Sequence, residues 1–200
     1  MHTVVVIPAS PALVEELAPR DQASRELVAA AREVLGGAPH TAGIDLVASR
    51  AERYYTAHTG SFAAWGAPGV TVGAGHYLPE LIARYVLGDK LSAAILEVRS
   101  KLATPRPERL TVVVTDGSAG MTPRAPLALL DDAAAADTFC RSALTTRPER
   151  IWSVAELEAA GVPDVSLWRE MAGVEKRGQL HAVDTATGVA RYVASWEGEP

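Results

Sequence analysis

Cysteine occurs once in 200 residues, at Cys140. This excludes an intramolecular disulfide framework and suits a reducing compartment. Long apolar runs are absent: none approaches the roughly 20 residues a membrane helix needs. Val4 to Ile7 is too short for a signal-peptide core, and no basic start precedes it. A cytoplasmic location and no membrane partner are expected. Positive charge is also scarce. Nineteen Lys and Arg, mostly scattered arginines, stand against 24 Asp and Glu, for a formal charge of −5. Phosphate backbones require a basic face, so nucleic acid is not expected as a partner. There is no Walker loop and no Gly-x-Ser-x-Gly elbow, and Gly73-Ala74-Gly75 lacks the third glycine of a dinucleotide fingerprint.

What the chain does hold is a globular composition, 48% hydrophobic and 22% charged, enough to bury the core of one domain spanning 1–200. Thr3 to Ile7 (TVVVI), Ile44 to Ala48 and Leu110 to Val114 (LTVVV) are continuous, mostly β-branched runs. Such runs suit strands buried on both faces of a sheet. Helical patterns fill the intervals, at Ala12 to Leu17, Asp21 to Leu35, Leu78 to Leu87, Leu130 to Leu144, Val154 to Ala160 and Val165 to Ala172. Asp21 is placed as an N-cap, Gly36-Gly37 as a stop and Gly88 as the close of the third pattern. Leu91 to Val98 suits a strand or a helix and is read as a strand, because a proline-rich connector separates it from the Leu110 run, and 50–68 is read as a long irregular loop. Gln179 to Val183 and Val189 to Trp196 flank a turn and read as a hairpin. The expected fold class is α/β: a largely parallel or mixed central sheet flanked by helices, with a C-terminal β-hairpin.

Open α/β folds place ligands outside the carboxyl ends of their strands. The Leu110 strand runs straight into Thr115-Asp116-Gly117-Ser118, and Gly120, Pro123 and Pro126 delay any return to regular structure. Asp116 and Ser118 either face a pocket or hydrogen-bond their own loop. Arg50, Glu52 and Arg53 form a charged group after the second strand, suited to an anion or simply to solvent. His2, His40, His58, His76 and His181 contain no His-x-x-x-His pair, and no spacing selects a base for Ser118. His58 and His76 lie where either faces a pocket. Cys140, within an alanine-rich helical pattern, reads as a buried thiol.

Four stretches in order resemble the class III extradiol ring-cleavage dioxygenases, in their catalytic-subunit-like superfamily and its small actinobacterial-type members. Val4 to Pro11 (VVVIPASP) resembles the first strand and its histidine-bearing end, and Ile44 to Arg50 (IDLVASR) the second strand and its metal-ligand turn. Thr115 to Pro126 (TDGSAGMTPRAP) resembles the Gly-Asp-Leu-Ser-His loop with its Thr-Pro-x-Ala-Pro continuation, and Gly188 to Trp196 the closing strand. Active members hold a non-haem iron with two histidines and a carboxylate. The first ligand position falls on Ala9, the second near Ser49 or Arg50, and the proton-transferring histidine on Ala119.

The resemblance therefore implies a homologue of the catalytic chain without iron ligands or acid–base histidine. It is expected to be a non-catalytic domain, without a cofactor, that binds a small molecule or a protein. The expected pocket is lined by Ser10, Arg50, His76, Asp116 and Ser118, and its ligand is small and anionic or aromatic. The alternative is a divergent ring-opening dioxygenase holding Fe2+ with His58, His76 and Asp116, or with Glu52 as the acid. Trp65, Trp152, Trp168 and Trp196 also permit a homo-oligomer interface, though tryptophans serve equally as core.

Overall fold

The computed structural model describes residues 2–198. Six strands form the central sheet: β1 (His2–Ile7), β2 (Ile44–Ala48), β5 (Ile95–Arg99), β6 (Leu110–Val114), β7 (Arg177–Asp184) and β8 (Arg191–Gly198). A separate two-stranded hairpin joins β3 (Ser61–Phe62) to β4 (Ala67–Thr71). The helices are α1 (Gln22–Gly37), α2 (Leu78–Ser92), α3 (Ala133–Thr145), α4 (Val154–Ala159) and α5 (Val165–Ala172). The sheet order is β5-β2-β6-β1-β8-β7. β5, β2, β6 and β1 run parallel, and β8 and β7 add an antiparallel hairpin at one edge. The α/β fold is thus the one the hydrophobic runs indicate.

The apolar runs explain the layering. In β1, Val5 and Ile7 pack toward α1 and α2, while Val4 and Val6 pack toward α3 and α5. Val112 and Val113 of β6 divide the same way. Each such fully buried branched side chain contributes about 1.5–3 kcal/mol of transfer free energy. Cys140 is buried in α3 among these contacts, and burial pushes its thiol well up from the ordinary value. Trp168 and Trp196 are core residues; Trp65 and Trp152 are half-buried.

Asp21 caps α1, its carboxylate accepting the Ser24 N–H at 3.0 Å. Helix α1 continues through Gly36 and Gly37 rather than stopping before them. Arg191, fully buried, donates to Asp184 at 2.7 Å and to the Ser24 hydroxyl at 2.5 Å, fastening α1 to the C-terminal hairpin.

Three segments differ from the sequence expectation. Ala12 to Leu17 is not a helix: a 3₁₀ turn at Pro11–Leu13 is followed by further turns. Gly88, at φ +68° and ψ 174°, leaves the helical conformation where the pattern was expected to close, but a further helical turn follows, so Leu91 and Ser92 are helical and the strand begins only at Ile95. A left-handed residue of this kind admits glycine with little strain. The 50–68 segment is not irregular throughout, because it holds two 3₁₀ turns and the β3–β4 hairpin. Phe62 anchors it, lying edge-on to Trp65 and Tyr85. Among the described residues no helix is long and apolar enough to cross a membrane.

Candidate functional site

The chain after β1 and β2 crosses the α1–α2 face, whereas the chain after β6 crosses to α3 on the other face. The carboxyl ends of these strands therefore border a crevice, the usual ligand position of open sheets. Pro8 to Ser10, Ser49-Arg50, Ser100-Lys101 and Thr115 to Gly120 all leave strands at this end.

Asp116 ties two of these loops together. Its Oδ1 accepts the Ala9 N–H at 3.0 Å, and its carbonyl accepts the Trp168 indole N–H at 2.8 Å. Burial pushes its carboxyl up to about 7, against the pull of the Ala9 N–H, with the Asp164 charge adding to the rise. Gly117 is needed for space: a Cβ there would stand 2.7 Å from the Tyr192 hydroxyl. Ser118 faces inward, its hydroxyl donating to the Ala160 carbonyl at 2.6 Å and accepting the Gly120 N–H at 3.1 Å. Ser10 is buried, with its backbone N–H facing Asp116. His76 lies apart from them. Its Nδ1 donates to the Thr56 carbonyl at 3.0 Å, so Nε2 accepts from the Thr59 hydroxyl at 3.3 Å. Its ring stacks on Tyr55. His58 is exposed.

Arg50 lines a cleft of about 380 Å³ together with Ser49, Arg53, Lys101, Asp164 and Ser166. This cleft lies beyond the carboxyl ends of β2 and β5, against the start of α5. Ser10, His76, Asp116 and Ser118 do not line it. Asp164 occupies the N-cap of α5, but its side chain accepts no backbone N–H there. The first N–H groups of a helix carry partial positive charge and attract anions. Arg50, Arg53 and Lys101 add three cations to the same space.

Asp164 is the anomaly in this basic cleft. Its side chain is 9% exposed, and its Oδ1 lies 3.7 Å from Arg53 Nη2. Among the described residues its buried Oδ2 has no hydrogen-bond partner. Burial raises its carboxyl above the usual range, while the nearby Ser49 hydroxyl, Arg53 and the Thr115 hydroxyl oppose that rise. Arg53 itself donates to the Pro163 carbonyl at 2.8 Å and covers the Tyr54 ring at 4.7 Å. Burial also raises the Tyr54 hydroxyl, with the Asp164 and Asp116 charges acting in the same direction. Asp164 and Lys101 are functional candidates that sequence reasoning missed. The visible signal for Asp164 was an N-cap residue two positions beyond Val162 and ahead of a helical pattern.

A wider cleft, about 1000 Å³, opens by the amino end of β1, between Leu102, Lys176 and Trp196. Its buried Lys176 donates to the carbonyls of Met171 at 2.6 Å and Val174 at 3.1 Å. Burial lowers this amine to about 8. Its protons serve the end of α5, so Lys176 is not left short of partners as Asp164 is.

An iron centre needs converging donors. Among the described residues no three His, Cys, Asp or Glu side chains are grouped to hold a metal ion. His58, His76 and Asp116 therefore do not form such a set. Ala9 and Ala119 offer no donor, and Arg50 brings a permanent positive charge. These residues do not fit iron(II). No protein-family model matches the chain, and no curated protein matches it.

Proposed function

We propose that this chain is an extradiol-dioxygenase-like domain that binds a small anionic molecule, without metal chemistry, in the cleft between β2, β5 and α5. One observation carries the reading: Arg50, Arg53 and Lys101 share a cleft with the start of α5, beyond the carboxyl ends of two parallel strands. Guanidinium groups bind carboxylates and phosphates through paired hydrogen bonds, and the helix start adds N–H donors. In place of a cation held by histidines, the site holds cations that await an anion.

Isothermal titration with inorganic phosphate and with benzoate tests this. One-to-one binding of at least one of them is expected, weakened about tenfold by Arg50→Ala or Lys101→Ala. Absence of heat and of any melting shift with both anions overturns the reading. A second check uses untagged protein dialysed with iron(II) under nitrogen. Retention of less than about a tenth of an equivalent is expected, whereas stoichiometric iron would restore the dioxygenase alternative.

A further inference from the structure

The cations of this cleft differ in what already holds them. Arg53 is committed: it has Asp164 at 3.7 Å, donates to the Pro163 carbonyl at 2.8 Å and covers the Tyr54 ring. Arg50 and Lys101 have no acid within ion-pair reach among the described residues. The lining, with three cations and one acid, thus carries a surplus of two positive charges. Both residues are set in place by other means. Arg50 lies over the Tyr77 ring, 5.9 Å from its centre. Lys101 sits on a clamped loop: its carbonyl accepts from Arg99 at 3.2 Å, and the next N–H, of Leu102, donates to Glu170 of α5 at 2.7 Å. Val47 pairs with Arg99 across β2 and β5, so Ser49-Arg50 and Ser100-Lys101 leave neighbouring strands, about 4.8 Å apart. Like charges on neighbouring strand ends repel, and an anion between them relieves both. The Ser100 and Ser166 hydroxyls line the same space, and neither meets a protein partner among the described residues.

We infer that the ligand is a small phosphate monoester, whose dianionic headgroup meets Arg50 and Lys101 and accepts from the Ser100 and Ser166 hydroxyls. Its charge, about −1.5 to −2 at neutral pH, matches the surplus, and its three peripheral oxygens suffice for two cations and two hydroxyls. A carboxylate brings one charge and leaves one cation unmatched. A dicarboxylate separates its charges, whereas these cations come from neighbouring strand ends. The volume of about 380 Å³ lies near the lower end of the roughly 300–1,000 Å³ of ligand sites, which suits a short organic substituent rather than a dinucleotide. The inference rests on the anion-binding reading of the same cleft.

Titration calorimetry at about pH 7.5 and low salt compares ethyl phosphate with two probes of other charge arrangement. Ethyl sulfate has the same shape and a single negative charge; succinate has two separated ones. Ethyl phosphate is expected to bind about tenfold more tightly than either. In Lys101→Met its lead over ethyl sulfate should fall below about threefold, because one cation of the pair is gone, while the exposed position leaves folding intact. A lead of less than about threefold over either probe in the wild-type protein overturns the inference while leaving the anion reading in place. A lead kept in full by Lys101→Met overturns the placement of the headgroup between these cations. No binding by any of the three probes, nor by inorganic phosphate or benzoate, overturns both readings. The wild-type comparison decides the matter even if the variant fails to fold.

Discussion

The two ends of strand β2 treat buried acid in opposite ways. At the amino end, Asp45 is fully buried, with Arg109 at 2.8 Å, Arg99 at 3.5 Å and Arg106 at 3.8 Å. Glu97 joins the same group through Arg99 and Arg106. At the carboxyl end, Asp164 has Arg53 at 3.7 Å, and Asp116 adds a second buried acid nearby. The first acid is neutralised by the protein's own side chains. The second has a single arginine and lies where the strand order opens a crevice, although among the described residues Oδ2 of each acid accepts no hydrogen bond. Buried charges that the fold itself does not satisfy mark candidate sites, whereas well-surrounded ones mark structure.

The largest expected effect breaks the satisfied end. Asp45→Ala should lower stability by about 3 kcal/mol, since it leaves three arginines facing a missing partner. Urea denaturation measures this, and a loss under about 1 kcal/mol would mean that the arginines simply reach water.

The next prediction concerns pH at the unsatisfied end. Asp116 has its carboxyl raised from 3.8 to about 7 on folding. Between those values the unfolded chain has released this proton and the folded chain keeps it. Stability should therefore fall as pH rises from about 4 to about 7, by at most about 4 kcal/mol, and level off above. Asp116→Asn should flatten that limb in melts across pH. Asp21 and Asp184, held below the usual carboxylate range, act oppositely and lose their contribution in strong acid. An unchanged limb in the variant would assign the slope to another group.

Smaller still is the effect of Arg50→Ala, a roughly tenfold loss of phosphate affinity, about 1.4 kcal/mol. Its melting temperature should stay near wild type, because Arg50 is exposed. The smallest is Asp164→Asn, expected to change stability by less than about 1 kcal/mol at neutral pH, since it removes an underpaired charge and keeps a capping residue. A large loss there would show Asp164 to be as structural as Asp45, and the contrast between the ends would collapse.

The fold was legible where hydrophobicity is continuous. TVVVI, IDLVA and LTVVV each form a strand at the expected place, and the final hairpin and all five helices of the described residues were visible as patterns. The β3–β4 hairpin was not, because a two-residue strand and one containing Pro68 and Gly69 show no alternation. The continuation of α2 past Gly88 was hidden because a glycine after an apolar pattern signals an end more often than a kink. The candidate site was legible in part. Arg50 and Arg53 line the cleft, while Ser118 and His76 have their polar atoms engaged elsewhere. Spacing along the chain does not report which carbonyl a hydroxyl or ring nitrogen will meet. Asp164 and Lys101 come from distant parts of the sequence, and their meeting with Arg50 depends on tertiary packing alone.

The strand order also bears on how the chain is made. β1 is the first strand of the sheet to emerge during synthesis, yet its neighbours are β6 and β8, and β8 is the last. One edge of β1 stays unpaired until every other strand of the sheet has appeared. A nascent or truncated chain ending before Arg191 would expose Val4, Val5 and Val6 along an open strand, a ready template for aggregation. Loss of a few residues from β8 should thus harm the yield of folded protein more than loss of an equal length from an exposed loop.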